Sequence, residues 1–191
     1  MSVAATNDGV TQALVRELDE AVRLGDVQRV TERVKSALEA FSGGRVALPE
    51  RYLRSTGECY ARRLLHRDPE LGYTAVVMTW GPGQGTELHD HAGIWCVECV
   101  LAGELLVTQY DLVEQREDRY RFEQKAAVRA GVGTAGCLIP PFEYHTLANA
   151  LPDATTVTLH VYGGEMDFCN LYRREPSGYW RCVPKTLEYA T

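Results

Sequence analysis

The chain has 191 residues, which is enough for one domain with a sizeable apolar core. Its net charge is -6 and Lys and Arg do not cluster, which argues against nucleic acid as a partner. No apolar run approaches the ~20 residues of a membrane-spanning helix, so no membrane partner is expected. Met1–Asp8 also lack the apolar centre of a signal peptide. We therefore expect a cytoplasmic protein, either a monomer or a small homo-oligomer.

Residues 9–42 predict two helices. Apolar residues recur four positions apart between residues 10 and 22, and a second apolar stripe runs from Val27 to Phe41. Gly25 separates the two stripes and Gly43 follows the second, as expected at helix ends. The segment carries no residues typical of chemistry, so we interpret it as a cap that packs on the rest of the domain.

After Pro49 the pattern changes from helical to β. Residues 50–66 predict a short helix that passes into a strand. From Tyr73 onward, short runs of strand-forming residues alternate with Gly and Pro turns, at 73–80, 94–101, 104–112, 119–123, 135–139 and 155–162. Strands this short and evenly spaced indicate a sandwich or a barrel.

The six cysteines are expected to be free thiols. The chain is large enough to fold without disulfides, and no secretion signal is visible. Cys96 and Cys99 form one CxxC pair without a second pair, so the sequence gives no indication of a structural zinc site.

Two of the five histidines, His89 and His91, form an HxH pattern in the β-rich part. Residues two apart on a strand share a face, so both imidazoles can point into a barrel while Asp90 points the other way. Neutral imidazole is the commonest metal ligand in proteins. HxH alone is weak evidence for a metal site, because surface loops contain it too.

The surroundings of these histidines resemble the two sequence motifs of the cupin superfamily. The first motif, G-x5-H-x-H-x4-E-x6-G, is matched by Gly83, His89, His91 and Gly103. The second, G-x5-P-x-G-x2-H-x3-N, is matched by Pro140, His145 and Asn149, although Phe142 replaces its inner Gly and its leading Gly is displaced to Gly133 or Gly136. The resemblance implies a mainly β protein with a cupin barrel of the jelly-roll type and N-terminal helices. We expect a single cupin domain, with a helical cap at 1–48 and the β-barrel at 49–191.

Cys96 stands where the first cupin motif has its Glu. In ordinary cupins that Glu is a fourth metal ligand. Without it, the expected site consists of three neutral histidines and has no carboxylate ligand. Up to three coordination positions would remain open for a substrate and dioxygen, whereas a structural metal site is closed by protein ligands.

A wider pattern over residues 58–170 resembles the cysteine dioxygenase family of thiol dioxygenases, in particular a bacterial, Arg-containing member. It comprises Tyr60 and Arg62, the Trp80–Gly83 turn, the HxH pattern with Cys96, His145, His160, Tyr162 and Cys169. The resemblance implies one Fe(II) per chain, held by His89, His91 and His145. The partners would be a small thiol and dioxygen. Both oxygen atoms would end on the sulfur, giving a sulfinic acid, most simply cysteine sulfinate from L-cysteine.

The same resemblance implies roles for further residues. Arg62, with Tyr60 beside it, would bind the substrate carboxylate, because a guanidinium fork matches a carboxylate. Tyr162 would act beside the iron, with its hydroxyl oriented by His160. Thr158 would support His160 from the same strand face. In animal members the residues matching Cys96 and Tyr162 are joined by a thioether, which we therefore predict as a modification of this chain.

Several alternatives remain open. The substrate could be 3-mercaptopropionate or mercaptosuccinate, since a carboxylate partner for Arg62 fits all three thiols. A non-catalytic metal-binding cupin is an alternative of another class, and a cupin isomerase or hydrolase using zinc or manganese is a further one. Cys169 is interpreted as a buried, inert thiol, and the segment after it is expected to contribute almost nothing to function.

Overall fold

The computed structural model describes residues 7–43 and 48–190; parts of the predicted cap and barrel at 1–6, 44–47 and 191 lie outside this range. Two helices, α1 (Asn7–Val22) and α2 (Val27–Gly43), are followed by a short 3-10 turn at Glu50–Tyr52. The strands of the described residues are β1 (Ala61–Asp68), β2 (Tyr73–Trp80), β3 (Leu88–His89), β4 (Cys96–Ala102), β5 (Glu104–Arg116), β6 (Arg119–Gly131), β7 (Ala135–Leu138), β8 (His145–Asn149), β9 (Thr156–Tyr162), β10 (Phe168–Arg174) and β11 (Trp180–Thr186). Neither helix combines the length and the apolar character needed to cross a bilayer.

The strands form two antiparallel sheets. The first has the order β1-β2-β9-β4-β7, and the second, β10-β11-β6-β5-β8-β3, closes because β3 pairs with β10. The predicted fold class is confirmed: the protein is mainly β, with a cupin barrel and N-terminal helices.

Gly103, the last residue of the first cupin motif, has a φ of 78° in the turn between β4 and β5. A Cβ there would lie 2.5 Å from Thr156 Oγ1, so the turn requires glycine.

The central strands of the first sheet are buried on both faces. Every residue of β2 is buried. Tyr73, Ala75 and Val77 pack in one core with the helix residues Leu18 and Leu38, which are fully buried. The alternate residues of β2 face the second sheet in another core, which is why this strand reads as a continuous apolar run. Burying each such leucine contributes ~1.5–3 kcal/mol, so the helices stabilise the sheet that they cover.

The boundaries of some strands differ from the sequence expectations. β2 and β4 lie close to the predicted positions, but β6 was expected to end near residue 123 and continues to Gly131. It pairs with β5 from Glu104 to Arg116 over this whole length. Charged residues alternate along the exposed face of this hairpin, so the apolar pattern was weak although backbone pairing continues along it with two bulges. Strands β3, β8, β10 and β11 were not predicted individually.

The pairing of β4 with β9 builds the inner face of the first sheet. Cys96 is the direct cross-strand partner of Tyr162, and Glu98 is the partner of His160. All four side chains are buried. Because side chains alternate along a strand, this register brings four chemically distinctive groups to one face, between the two sheets.

Candidate metal centre and substrate pocket

Three histidines from three places in the chain meet between the sheets. His89 ends β3 and pairs directly with His145, the first residue of β8. Their Nε2 atoms are 3.2 Å apart, and the ring of His91 lies 5.4 Å from that of His89 and 5.0 Å from that of His145. One ring nitrogen of each lies within 4.8 Å of the others, so the cluster could hold a metal ion.

The expectation that His89 and His91 share a strand is only half right. β3 ends at His89, and His91 lies in the loop that follows. Asp90 does point away, because its carboxylate accepts hydrogen bonds from the Asn170 backbone and side chain and from the Tyr172 hydroxyl. These hydrogen bonds to β10 place His91 beside the other two histidines, although His91 is not part of a strand.

Burial keeps two of the three imidazoles neutral. Burial lowers the pKa of His89 to about 3 and also lowers the pKa of His145, with the neighbouring imidazoles adding to both shifts. A neutral imidazole retains the lone pair that binds a metal, and both rings are almost fully buried. The residues therefore suit a divalent cation, whose charge would replace the protons that burial removes.

The far nitrogens of two of these rings face acceptors on their own side of the barrel. His89 Nδ1 lies 3.0 Å from the carbonyl oxygen of Glu87. His91 Nδ1 lies 3.4 Å from Glu143 Oε2, which also accepts the backbone N–H of His91 at 2.8 Å. The contact of His89 is of the kind that fixes the tautomer and the orientation of a metal-binding imidazole, whereas His91 Nδ1 makes no hydrogen bond and His91 is held by its backbone.

A second buried carboxylate, Glu98, lies between His145 and His160. Its two oxygens are 4.0 Å from His145 Nδ1 and 3.6 Å from His160 Nδ1. Burial raises the pKa of Glu98 to about 8. Sequence reasoning missed both glutamates and treated the site as free of carboxylates. Glu98 follows Cys96 by two positions on the inward face of β4, a signal that could have identified it.

The predicted residues of β9 lie beside the cluster. Thr158 Oγ1 is 2.8 Å from His160 Nε2 and accepts a hydrogen bond from the indole of Trp80 at 2.9 Å. The His160 and Tyr162 rings stack with centroids 6.0 Å apart, and the Tyr162 hydroxyl lies 3.9 Å from Met78 Sδ. Burial raises the pKa of Tyr162, which keeps its hydroxyl protonated.

A pocket of about 550 Å³ opens from the three histidines, within the size range of small-molecule sites. Arg62 lines it and is 5% exposed. Its Nη2 donates to the carbonyl oxygen of Met166 at 2.8 Å, while the buried Nη1 has no partner. Tyr60 also lines the pocket and stacks on Trp80 at 4.5 Å. A buried guanidinium nitrogen without a partner suits an anionic group of a ligand.

Cys169 also lines the pocket, and burial raises the pKa of its thiol to about 11, consistent with an unreactive group. The expectation that the chain after Cys169 contributes almost nothing is corrected, since Lys185–Ala190 form one wall of the pocket. These residues are distant from the motifs in sequence and reach the site only through the pairing of β11 with β10.

The family model for cysteine dioxygenase type I matches residues 2–175. The chain belongs to the cysteine dioxygenase type I family. Rat cysteine dioxygenase type 1 is 26% identical over 167 residues, which cover 83% of this chain and 76% of the rat protein. The human protein is 24% identical over 108 residues, which cover 52% of this chain and 49% of that protein.

Among solved structures, a conserved protein with a double-stranded beta-helix domain from Klebsiella pneumoniae superposes with a TM-score of 0.49 and 18% identity, covering 64% of this chain and 93% of that one. Cysteine dioxygenases are metalloenzymes, and the buried histidine cluster of this member of the family has the donor set for a metal. Family membership supports an oxidoreductase that uses a small thiol and dioxygen.

Proposed function

We propose that this protein is an iron-dependent thiol dioxygenase that converts L-cysteine to cysteine sulfinate. Both atoms of dioxygen would be added to the sulfur, which is oxidised by four electrons, so no other reductant is needed. The observation that carries the proposal is the buried three-histidine cluster at the base of a pocket that also contains an unpartnered Arg62 nitrogen.

His89, His91 and His145 would hold one Fe(II) per chain through the ring nitrogens that face one another. Ferrous iron would supply open coordination positions and the electrons that activate dioxygen. The protein's part would be to keep His89 and His145 neutral, to orient the His89 ring through the carbonyl oxygen of Glu87, and to hold the His91 backbone through Glu143. Three protein ligands leave room for a substrate, which favours a catalytic site over a structural one.

Arg62 would bind the substrate carboxylate through its free Nη1, and Tyr60 would line the same wall. Burial of the guanidinium strengthens such a contact, because water competes less well for it. This arrangement would direct the thiol of a small thiol carboxylate toward the histidines. It suits cysteine, 3-mercaptopropionate and mercaptosuccinate alike, so the choice among them is a matter for measurement.

Tyr162 would donate a hydrogen bond from its protonated hydroxyl to the reacting groups above the histidines. Its ring lies 6.1 Å from that of His91 and stacks on that of His160. His160 is held in turn by Thr158. The stacking would fix the position of the tyrosine ring, so that its hydroxyl needs little reorganisation during the reaction.

Cys96 and Tyr162 would become joined by a thioether. They are direct cross-strand partners, and both side chains are buried. A bond would form between Sγ and a ring carbon ortho to the hydroxyl, with loss of two hydrogen atoms. The two electrons and two protons released would be taken up by one dioxygen molecule, giving hydrogen peroxide. The crosslink would restrict the tyrosine further and would not be needed for metal binding.

The test is oxygen uptake by the Fe(II)-loaded protein with cysteine, 3-mercaptopropionate, mercaptosuccinate and cysteamine, with each product identified by mass. We expect uptake with a sulfinate product, and the best thiol would name the substrate. Arg62→Gln should raise KM for the carboxylate thiols and leave cysteamine unaffected. No uptake above a His145→Ala control, with iron demonstrably bound, would instead favour a non-catalytic metal-binding cupin.

A further inference from the structure

The C-terminal segment, residues 187–190, runs along the substrate pocket beside Arg62. The backbone N–H of Leu187 donates to the carbonyl oxygen of Asp167 at 2.7 Å. The backbone N–H of Ala190 donates to the carbonyl oxygen of Arg62 itself, also at 2.7 Å. The first bond ties the segment to the residue that precedes β10, and the second ties it to the start of β1. It lies outside residues 2–175, so the family match assigns it no role.

Tyr189 is the residue of this segment that contacts the Arg62 side chain. The guanidinium carbon of Arg62 lies 5.3 Å from the centroid of the Tyr189 ring, within the range of a cation–π interaction. The Tyr189 hydroxyl donates to Glu165 Oε1 at 2.6 Å. Glu165 also accepts a hydrogen bond from Arg67 at 2.9 Å, and the Arg67 guanidinium carbon lies 6.0 Å from the centroid of the Tyr189 ring.

The two contacts of Arg62 engage one side-chain nitrogen and the guanidinium group, and they leave the other terminal nitrogen free. Met166 occupies Nη2, Tyr189 lies on the guanidinium group, and Nη1 remains without a partner. A free arginine side chain loses rotamer entropy when it is fixed. Because Tyr189 and Met166 already fix the guanidinium, an incoming carboxylate would meet a preoriented donor and would not have to order it.

We propose that Tyr189 is a positioning residue that sets the Arg62 guanidinium for carboxylate binding and so determines preference for thiols that carry a carboxylate. This inference rests on the proposed function, in which Arg62 binds the substrate carboxylate. Tyr189 does not itself contact the reacting sulfur. Its effect should therefore appear in binding of the carboxylate and not in the chemical step.

The experiment uses the Fe(II)-loaded full chain with Tyr189→Leu, Tyr189→Phe and Arg62→Gln. We expect Tyr189→Leu to raise KM for cysteine by about threefold to thirtyfold, the range of a partly buried cation–π contact, with kcat within about twofold of the parent. KM for cysteamine, which has no carboxylate, should not change. Tyr189→Phe retains the ring and should stay within about threefold of the parent. The affinity for cysteine, measured by calorimetry without oxygen, should follow KM.

Tyr179→Leu is the matched control, because Tyr179 is a half-buried tyrosine in the turn after β10 that does not line the pocket. A double variant of Arg62→Gln with Tyr189→Leu should bind cysteine no more weakly than Arg62→Gln alone, since Tyr189 acts through Arg62. Additive losses, or an equal rise in KM for cysteamine, would overturn the proposal.

The failure of this inference can be distinguished from failure of the proposed function. If Arg62→Gln weakens carboxylate thiols and Tyr189→Leu does not, Tyr189 is not a positioning residue and the proposed function stands. If Arg62→Gln itself has no effect, the carboxylate role of Arg62 is wrong, and the inference falls with it.

Discussion

Asp90, which lies between two of the clustered histidines, provides the sharpest test of how the site is held. The carboxylate is 7% exposed and accepts hydrogen bonds from Ala92 N at 3.1 Å, Asn170 N at 2.9 Å, Asn170 Nδ2 at 2.8 Å and the Tyr172 hydroxyl at 3.0 Å. Asp90→Ala removes the acceptor for all of these donors. The loop that carries His91 would lose its side-chain attachment to β10 and would keep only the backbone hydrogen bond from Asp90 N to Asn170 O at 3.2 Å.

The expected loss of unfolding free energy in Asp90→Ala follows from these contacts. A donor left buried without a partner costs ~1–3 kcal/mol, and the four losses do not add fully because the donors share one acceptor group. We expect Asp90→Ala to lower the free energy of unfolding by ~4 kcal/mol. For a chain of this length that corresponds to a fall in Tm of ~8–16 °C. Tyr172→Phe removes a single donor and should cost ~1.5 kcal/mol.

Thermal unfolding of the metal-free proteins, followed by circular dichroism, measures both losses. Competition with a chelator then measures metal affinity, which should fall by ~10–100-fold in Asp90→Ala, because misplacing His91 weakens the donor set. If Asp90→Ala destabilises the protein no more than Tyr172→Phe does, Asp90 is not the anchor of the loop. The reasoning from the hydrogen-bond network would then be refuted.

Three further predictions concern the buried groups of the site. Glu98→Gln should lower metal affinity by ~10–100-fold in a chelator competition, and an unchanged affinity would mean that this carboxylate does not orient the histidines. After many turnovers, peptide mapping should find the Cys96 and Tyr162 peptides joined and two hydrogen atoms lighter, whereas separate peptides of full mass would refute the thioether. Burial lowers the pKa of His89 and of His160 to about 3, so the unfolded chain binds protons near pH 5 that the folded chain does not. The metal-free protein should therefore lose stability as pH falls from about 6.5, by ~1.4 kcal/mol per pH unit for each ring. Glu98, whose pKa burial raises to about 8, opposes this with one proton held only by the folded chain above about pH 4.5. A urea midpoint that rises on acidification from pH 6.5 to pH 5 would contradict this balance.

The local sequence pattern was sufficient to predict the helices and strands in which buried residues recur at a regular spacing. β2 appears as a continuous apolar run because both of its faces are covered, and the two helices appear as stripes because each has one buried face. The spacing of His89, His91 and His145 within the two motifs indicated the cluster before any geometry was known. These features depend on neighbouring residues, so a linear sequence records them.

The tertiary structure alone decided what surrounds the cluster. Glu98 faces His160 because β4 pairs with β9, and Tyr189 reaches Arg62 only after β11 has paired with β10. Each contact joins residues that are far apart in the chain, so no short-range sequence pattern predicts it. A buried Glu or Tyr has the same letter as an exposed one, and its environment is set by strand register. Sequence by itself therefore determined the fold class and the histidine set, while strand pairing determined the charges and the wall of the pocket around them.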